Sequence, residues 1–209
     1  RAQVSDIVTN MVDGLLENDT YGNLIPSLAE DWTVSKDGLT YTYKLREGVK
    51  WYTADGEEYA DVTAEDFVTS LKHAVEVKSE GLYIIQDSIA GLNDFVTGKS
   101  TDFESVVVKA LDDHTVQYTL THPEPFWNSK LTMSIMLPVN AEFLESKGKD
   151  FGKVEPRGIL YNGAYTISSM TSKSSRRTIG TRWMRPRAPL DCLRIVRPRH
   201  GAARYELAQ

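Results

Sequence analysis

Two β-rich runs, Trp32-Thr33-Val34 and Thr40-Tyr41-Thr42-Tyr43-Lys44-Leu45, flank the tetrapeptide Ser35-Lys36-Asp37-Gly38. An Asp-Gly pair between strands of this kind reverses the chain tightly, because glycine takes a positive φ at no steric cost. The fold must therefore contain an antiparallel ribbon near its start. A second ribbon is expected where Val106 to Leu111 and Thr115 to Leu120 are joined by Asp112-Asp113-His114.

Helical spacing accounts for much of the rest. Val4, Ile7, Val8, Met11, Val12 and Leu15 share one face of a helix over 4–16, which Gly14 and Asn18-Asp19-Thr20 end. Ser27-Leu28-Ala29-Glu30 reads as a short helical turn after the loop carrying Pro26, and 46–61 reads as turn-rich, with Gly48 and Asp55-Gly56. A helix is expected to start at Thr63-Ala64-Glu65-Asp66, the Thr63 side chain accepting from the amide of Asp66, and to bury Phe67, Val68, Leu71, Ala74 and Val75. Further helices are expected over Gly91 to Val96, closed by Gly98, over Phe126 to Met133, and over Ala141 to Lys147; Tyr161-Asn162-Gly163 and Ala164 to Ser168 make a last turn and strand. The order is mixed rather than strictly alternating, which places the chain in the α+β or mixed α/β class.

A hydrophobic fraction of 41% in 209 residues suffices for a packed core in one large or two small domains. No run approaches the roughly 18 to 20 apolar residues that span a bilayer. The net charge of −5 conceals an asymmetry: 12 Lys and 3 Arg precede Arg176, whereas 9 Arg and no Lys follow from it. Both side chains supply the same charge, so an abrupt switch between them points to a change of reading frame, a fusion scar or a sequence error. The only cysteine, Cys192, lies in that tail, and the cysteine-free body fits an oxidising setting without disulfides. Beyond Ser172 neither a 2 nor a 3.6 repeat survives, and the tail reads as disordered or non-native.

Nothing in the chain asks for catalysis. His73, His114, His122 and His200 have no metal-ligand spacing, and no GxSxG, Walker or GxGxxG sequence is present. The acid pairs Glu57-Glu58, Asp112-Asp113 and Asp55 with Asp61 fall in turns, where carboxylates are simply well solvated. The arginines of the tail, with Trp183 and Tyr205, superficially suggest nucleic-acid binding, but the acidic body offers no basic face to extend them. Trp32, Tyr41, Tyr43, Trp51, Tyr52, Tyr83, Phe126, Trp127 and Tyr161 serve mostly as packing, with a minority free to line a cleft.

The order of several blocks carries a resemblance. Val12-Asp13-Gly14-Leu15-Leu16, Pro26-Ser27-Leu28-Ala29-Glu30-Asp31-Trp32 and Ser35 through Trp51 are followed by Asp55-Gly56 and Val62 through Ser70, then by Val108 through Val116 and Tyr161-Asn162-Gly163-Ala164-Tyr165. Together they resemble the family-5 solute-binding proteins, in particular the oligopeptide-binding branch. The resemblance implies a periplasmic-binding-protein-like type II fold, here truncated, with a small β-rich subdomain: 1–20 starts lobe one, 21–158 forms the β-rich subdomain with flanking helices, 159–172 returns to lobe one, and 173–209 is the atypical tail. It also implies extracytoplasmic binding of oligopeptides for delivery to the membrane permease of an ABC importer, by a monomer, without catalysis, cofactor, metal or nucleic acid. The Lys-rich body further suggests a cell-surface lipoprotein of a Gram-positive bacterium. By resemblance alone the ligand contacts are Val4, Ser5, Tyr83, Asn162 and Gly163. A dipeptide or nickel receptor, or a truncated fragment that binds no solute and serves at the surface, remain as alternatives. Family members hold ligand between two lobes, so one lobe alone is expected to fall short of the roughly 8 kcal/mol that micromolar affinity requires.

Overall fold

The computed structural model describes residues 8–153, 155–173, 176–183, 193–196 and 204–207. Its centre is a four-stranded antiparallel sheet, ordered β3 (Ala29–Val34), β4 (Thr40–Leu45), β8 (Thr115–Thr119) and β7 (Val108–Asp112). Both expected hairpins are present in it. At the first turn Gly38 adopts φ 73°, and Ser35 N donates to Thr40 O at 2.9 Å.

Alternation along the strands gives the sheet one apolar and one polar face. Tyr41, Tyr43, Leu45, Val116 and Tyr118 are buried on the apolar face. On the other, Gln117 Nε2 donates to Thr42 Oγ1 at 3.0 Å. Trp127 opens α3 (Trp127–Lys130) and caps the apolar face, its ring 5.5 Å from Tyr118 and 6.3 Å from Tyr41; Tyr43 OH donates to Asn128 Oδ1 at 2.6 Å. Aromatic residues therefore build much of this core, in stacked, tilted and edge-on pairs of the kind ring quadrupoles favour.

Helix α1 (Glu65–Glu76) buries Phe67, Leu71 and Ala74, with Val68 and Val75 only partly covered. Its start differs from expectation. The Thr63 side chain does not cap it; instead the Asp66 carboxylate reaches back and accepts from Thr63 N at 3.0 Å, while Asp66 N bonds the Thr63 carbonyl at 3.2 Å. Half of a capping box is thus formed from the acidic end. Helix α2 (Leu92–Val96) follows Gly91 and is closed by Gly98, and α4 (Ala141–Lys147) starts on Asn140, whose Oδ1 accepts from Phe143 N at 3.0 Å.

Three further elements depart from the sequence expectations. The helix over 4–16 ends by Val12 in its described part: Met11 N and Val12 N bond Val8 O, but Asp13 N turns to the side chain of Asn162 at 2.7 Å, so a distant partner replaces the next helical bond. Leu16–Asn18 then forms β1, paired with β2 (Leu24–Pro26). Residues 27–30 are not helical, because Ala29 enters β3 opposite Leu45 and Arg46 Nε donates to Ser27 O at 2.8 Å. The turn-rich stretch 46–61 contains a hairpin, β5 (Lys50–Tyr52) with β6 (Glu58–Asp61), reversed around Gly56 at φ 86°.

Strand β9 (Tyr165–Lys173) extends beyond the expected strand and pairs with β10 (Arg176–Trp183), inside the segment where the sequence shows no periodicity; a further pair joins β11 (Leu193–Val196) and β12 (Arg204–Leu207). Antiparallel pairing is satisfied by backbone groups, which explains how it forms without an alternating side-chain pattern. A backbone bridge ties the end of the described body to its middle: Tyr52 N donates to Tyr161 O at 2.7 Å and Tyr161 N to Tyr52 O at 2.9 Å.

Candidate ligand-contact site

Of the five residues placed by resemblance, Val4 and Ser5 lie outside the described residues. Tyr83 sits on a 3-10 turn, Glu80–Ile84, and is 79% exposed. The turn is held flat against its neighbour because Gly81 has no side chain: a Cβ there would lie 3.3 Å from Ile135. The phenol is therefore presented to solvent from a supported backbone as a flat, amphipathic contact surface.

Asn162 and Gly163 are held by another part of the molecule. Their backbone amides both donate to Met11 O, at 3.2 and 3.0 Å, and Asn162 Oδ1 accepts from Asp13 N at 2.7 Å. A Cβ on Gly163 would lie 2.9 Å from the Met11 carbonyl carbon and 3.0 Å from Asp13 Oδ1, so only glycine permits this approach. The turn is accordingly a clasp between segments 149 positions apart. Its two amides are already engaged, and Asn162 Nδ2 stays buried without a partner among the described residues.

The clasp borders a small second core of Met11, Tyr161 and Ile167. Asp13, partly buried beside it, is pushed up to about 7 by burial and then by the negative charge of Glu17. Glu17 is itself raised by burial, with Arg46 pulling the other way.

A cavity of about 260 Å³ opens nearby between α1, the 134–140 segment, α4 and the chain at 159–167. Its walls are mainly apolar, Val8, Val12, Leu137, Phe143 and Ile167 among them, with Ser70, His73, Ser79, Ser134, Asn140 and Lys153 as polar exceptions. Ser70 Oγ donates to Leu137 O at 2.6 Å and fixes one wall to α1. Another wall includes Trp51, whose Nε1 donates to Asp66 at 2.8 Å. Asp66 is 4% exposed and burial raises it to about 6, against the lowering effect of the Thr63 and Trp51 hydrogen bonds. The apolar walls with a few polar side chains offer shape and a small number of hydrogen bonds. Among the described residues no three His, Cys, Asp or Glu side chains converge on a point where a metal would sit.

The roles of Met11, Asp13, Asp66 and Trp51 are not apparent from local sequence. The one available signal is Asp13-Gly14 set between apolar pairs, which marks an acid that cannot be wholly solvated.

Comparison with known proteins matches residues 23–178 to the bacterial extracellular solute-binding proteins, family 5. The chain is 66% identical over 175 residues to the oligopeptide-binding protein AliB of Streptococcus pneumoniae, an alignment covering 84% of this chain and 27% of AliB. Among solved structures, the pheromone receptor PrgZ superposes with a TM-score of 0.75 at 27% identity over 86% of this chain and 35% of that one. Peptide-bound OppA of Listeria monocytogenes superposes with a TM-score of 0.70 at 31% identity over 78% of this chain and 31% of that one. The chain thus spans between about a quarter and about a third of each of these proteins.

Proposed function

This chain belongs to the bacterial extracellular solute-binding proteins of family 5, and from that premise we propose that it takes part in capturing oligopeptides outside the cytoplasmic membrane for delivery to the permease of an ABC importer. The observation that carries the reading is the 66% identity to a protein named for oligopeptide binding. The mechanism is closure of lobes over an extended peptide, with no chemical step. In this reading 1–20 and 159–172 belong to lobe one, and 21–158 is the β-rich subdomain with flanking helices. The Tyr52–Tyr161 bridge and the Met11–Gly163 clasp support that division, because they tie the two lobe-one stretches to each other and to the subdomain.

Val4, Ser5, Tyr83, Asn162 and Gly163 remain the proposed contacts. Tyr83 is suited to lie against ligand directly, and Asn162 and Gly163 to shape the floor through the clasp. The receptor works as a monomer, held at the surface of a Gram-positive cell by a lipid anchor; the streptococcal origin of AliB supports that setting.

The reading is tested by replacing the aligned part of AliB with the matching 175 residues of this chain and titrating the chimera calorimetrically with a mixed oligopeptide pool. Saturable binding at micromolar or tighter affinity, about 8 kcal/mol or more, is expected. A folded chimera that gives no heat would overturn it. The isolated chain titrated in the same way is expected to bind more weakly than the chimera, because enclosure supplies much of the affinity.

A further inference from the structure

The clasp has a chemical peculiarity that its hydrogen bonds alone do not explain. It joins the turn that ends the first helix, Met11 to Asp13, to the turn Tyr161 to Gly163 by three bonds: Asp13 N to Asn162 Oδ1, and the amides of Asn162 and Gly163 to Met11 O. Asp13 Oδ1 lies against the Cα of Gly163, close enough that a Cβ there would stand 3.0 Å away. Asp13 therefore contributes its backbone N–H to the clasp, while its carboxyl is pressed onto the partner turn.

Among the described residues the Asp13 carboxyl accepts no hydrogen bond and has no cation acting on it, only burial and a like charge. From β1, Glu17 faces it with like charge, and the cation on this side, Arg46 after β4, acts on Glu17. From β5, the Tyr52 hydroxyl is directed to Glu58; from the partner turn, the Tyr161 hydroxyl donates to Pro156 O at 2.7 Å. Asn162 Nδ2, a donor on the same turn, is buried without a partner among the described residues. An ionised carboxyl in such surroundings gains by moving out to water, whereas a neutral one is tolerated.

We propose that the Asp13–Asn162 junction is a proton-dependent clasp, closed when Asp13 is neutral and loosened when Asp13 ionises, so that proton concentration governs how firmly the 159–167 segment is held on the 11–13 turn. The proposal does not rest on the peptide-binding reading. Its direction follows from the raised folded value of Asp13, about 7 against an ordinary 3.8. The closed state binds the proton more tightly than the open state, so the clasp is firmest below about pH 4, weakens as pH rises, and changes no further above about pH 7.

The test is amide hydrogen exchange on the whole chain, read by NMR at Asn162 and Gly163 from pH 4.5 to 8.5 and corrected for the intrinsic pH dependence of exchange. Protection at both amides is expected to fall about tenfold per pH unit up to about pH 7 and then level off, as linkage to one proton requires. In Asp13→Asn the protection is expected to be independent of pH, while the amide of Ala64, which bonds Asp113 O away from the clasp, behaves alike in both proteins. Should Asp13→Asn fail to fold, the ¹³C-carboxyl titration of Asp13 in the wild-type chain decides the matter: a midpoint near 7 supports the clasp and one near 4 overturns it. Protection that is flat in the wild type, or a slope that persists in Asp13→Asn, also overturns it.

Discussion

Replacing Asp66 with asparagine isolates the energetic consequence of one buried carboxyl. Asp66 is 4% exposed, accepts from Trp51 Nε1 at 2.8 Å and from Thr63 N at 3.0 Å, and is raised by burial from 3.8 to about 6. The folded chain therefore takes up a proton more readily than the unfolded chain. The associated stability is fully present below about pH 4 and is lost as pH rises through about 6. A shift of about two pKa units corresponds to about 3 kcal/mol. The amide that replaces the carboxyl would retain an oxygen to accept from Trp51 and Thr63, so the variant removes the titration while keeping the shape. In urea unfolding followed by tryptophan fluorescence, the stability of Asp66→Asn relative to wild type is expected to improve by about 3 kcal/mol between pH 4 and pH 7. For an unfolding slope of about 1 to 3 kcal/mol per molar urea this displaces the midpoints by about 1 to 3 M relative to each other. Asp13 titrates in both proteins and cancels from the difference. If the gap between the two proteins is the same at pH 4 and pH 7, the argument from burial is refuted.

Other substitutions examine different parts of the structure. Gly91→Ala places a Cβ 1.9 Å from Ser105 O at a residue with φ 81°, so a loss of at least about 3 kcal/mol, or no cooperative thermal transition, is expected by calorimetry. Asn140→Ala removes the side chain that accepts from Phe143 N and should cost about 1 kcal/mol in urea unfolding. Lys130→Met strips the cation from Glu124, whose side chain is 17% exposed, and the donor at 2.7 Å from Ser88 Oγ; about 2 kcal/mol should be lost, and Glu124→Gln in the same chain should recover part of it in a double-mutant cycle. Tyr83→Ala should leave stability within about 0.5 kcal/mol of wild type, because the side chain is solvated, while weakening peptide binding by the chimera described above.

The elements legible in the sequence are those whose signals are local. Both hairpins of the central sheet announce themselves by turn residues between alternating strands, and α4 runs over the expected Ala141–Lys147 because Asn140 caps it and Gly148 follows it. The departures at 27–30 and at the first helix share one cause, a distant partner overriding a local preference. Ala29 joins a strand because β4 offers it an edge, and the first helix stops where Asn162 captures the amide of Asp13. Strands β5 and β6 are hidden for another reason. They hold only three and four residues, and what fixes them is the burial of Trp51 against Asp66, a contact spanning 15 positions that no strand pattern records.

The same division runs through the candidate site and explains its two kinds of residue. Tyr83 enters the proposed contacts by resemblance alone, and it is the structure that sets it on an exposed 3-10 turn. Asn162 and Gly163 stand out as a turn, yet their amides are engaged by Met11, which shifts their proposed part from touching ligand to fixing the floor beneath it. The local signature of Asp13 is slight, an acid and a glycine set between apolar pairs. In the sequence it is one more acid before a glycine, and only the return of the chain at Tyr161 to Gly163 encloses it and makes its charge unfavourable. A residue whose chemistry is set by closure between segments 149 positions apart becomes visible only when both segments are seen together. The clasp should consequently be sensitive to changes on either side: Asn162→Ala, which deletes the acceptor for Asp13 N, is expected to release the 11–13 turn as Asp13 ionisation does, but without dependence on pH.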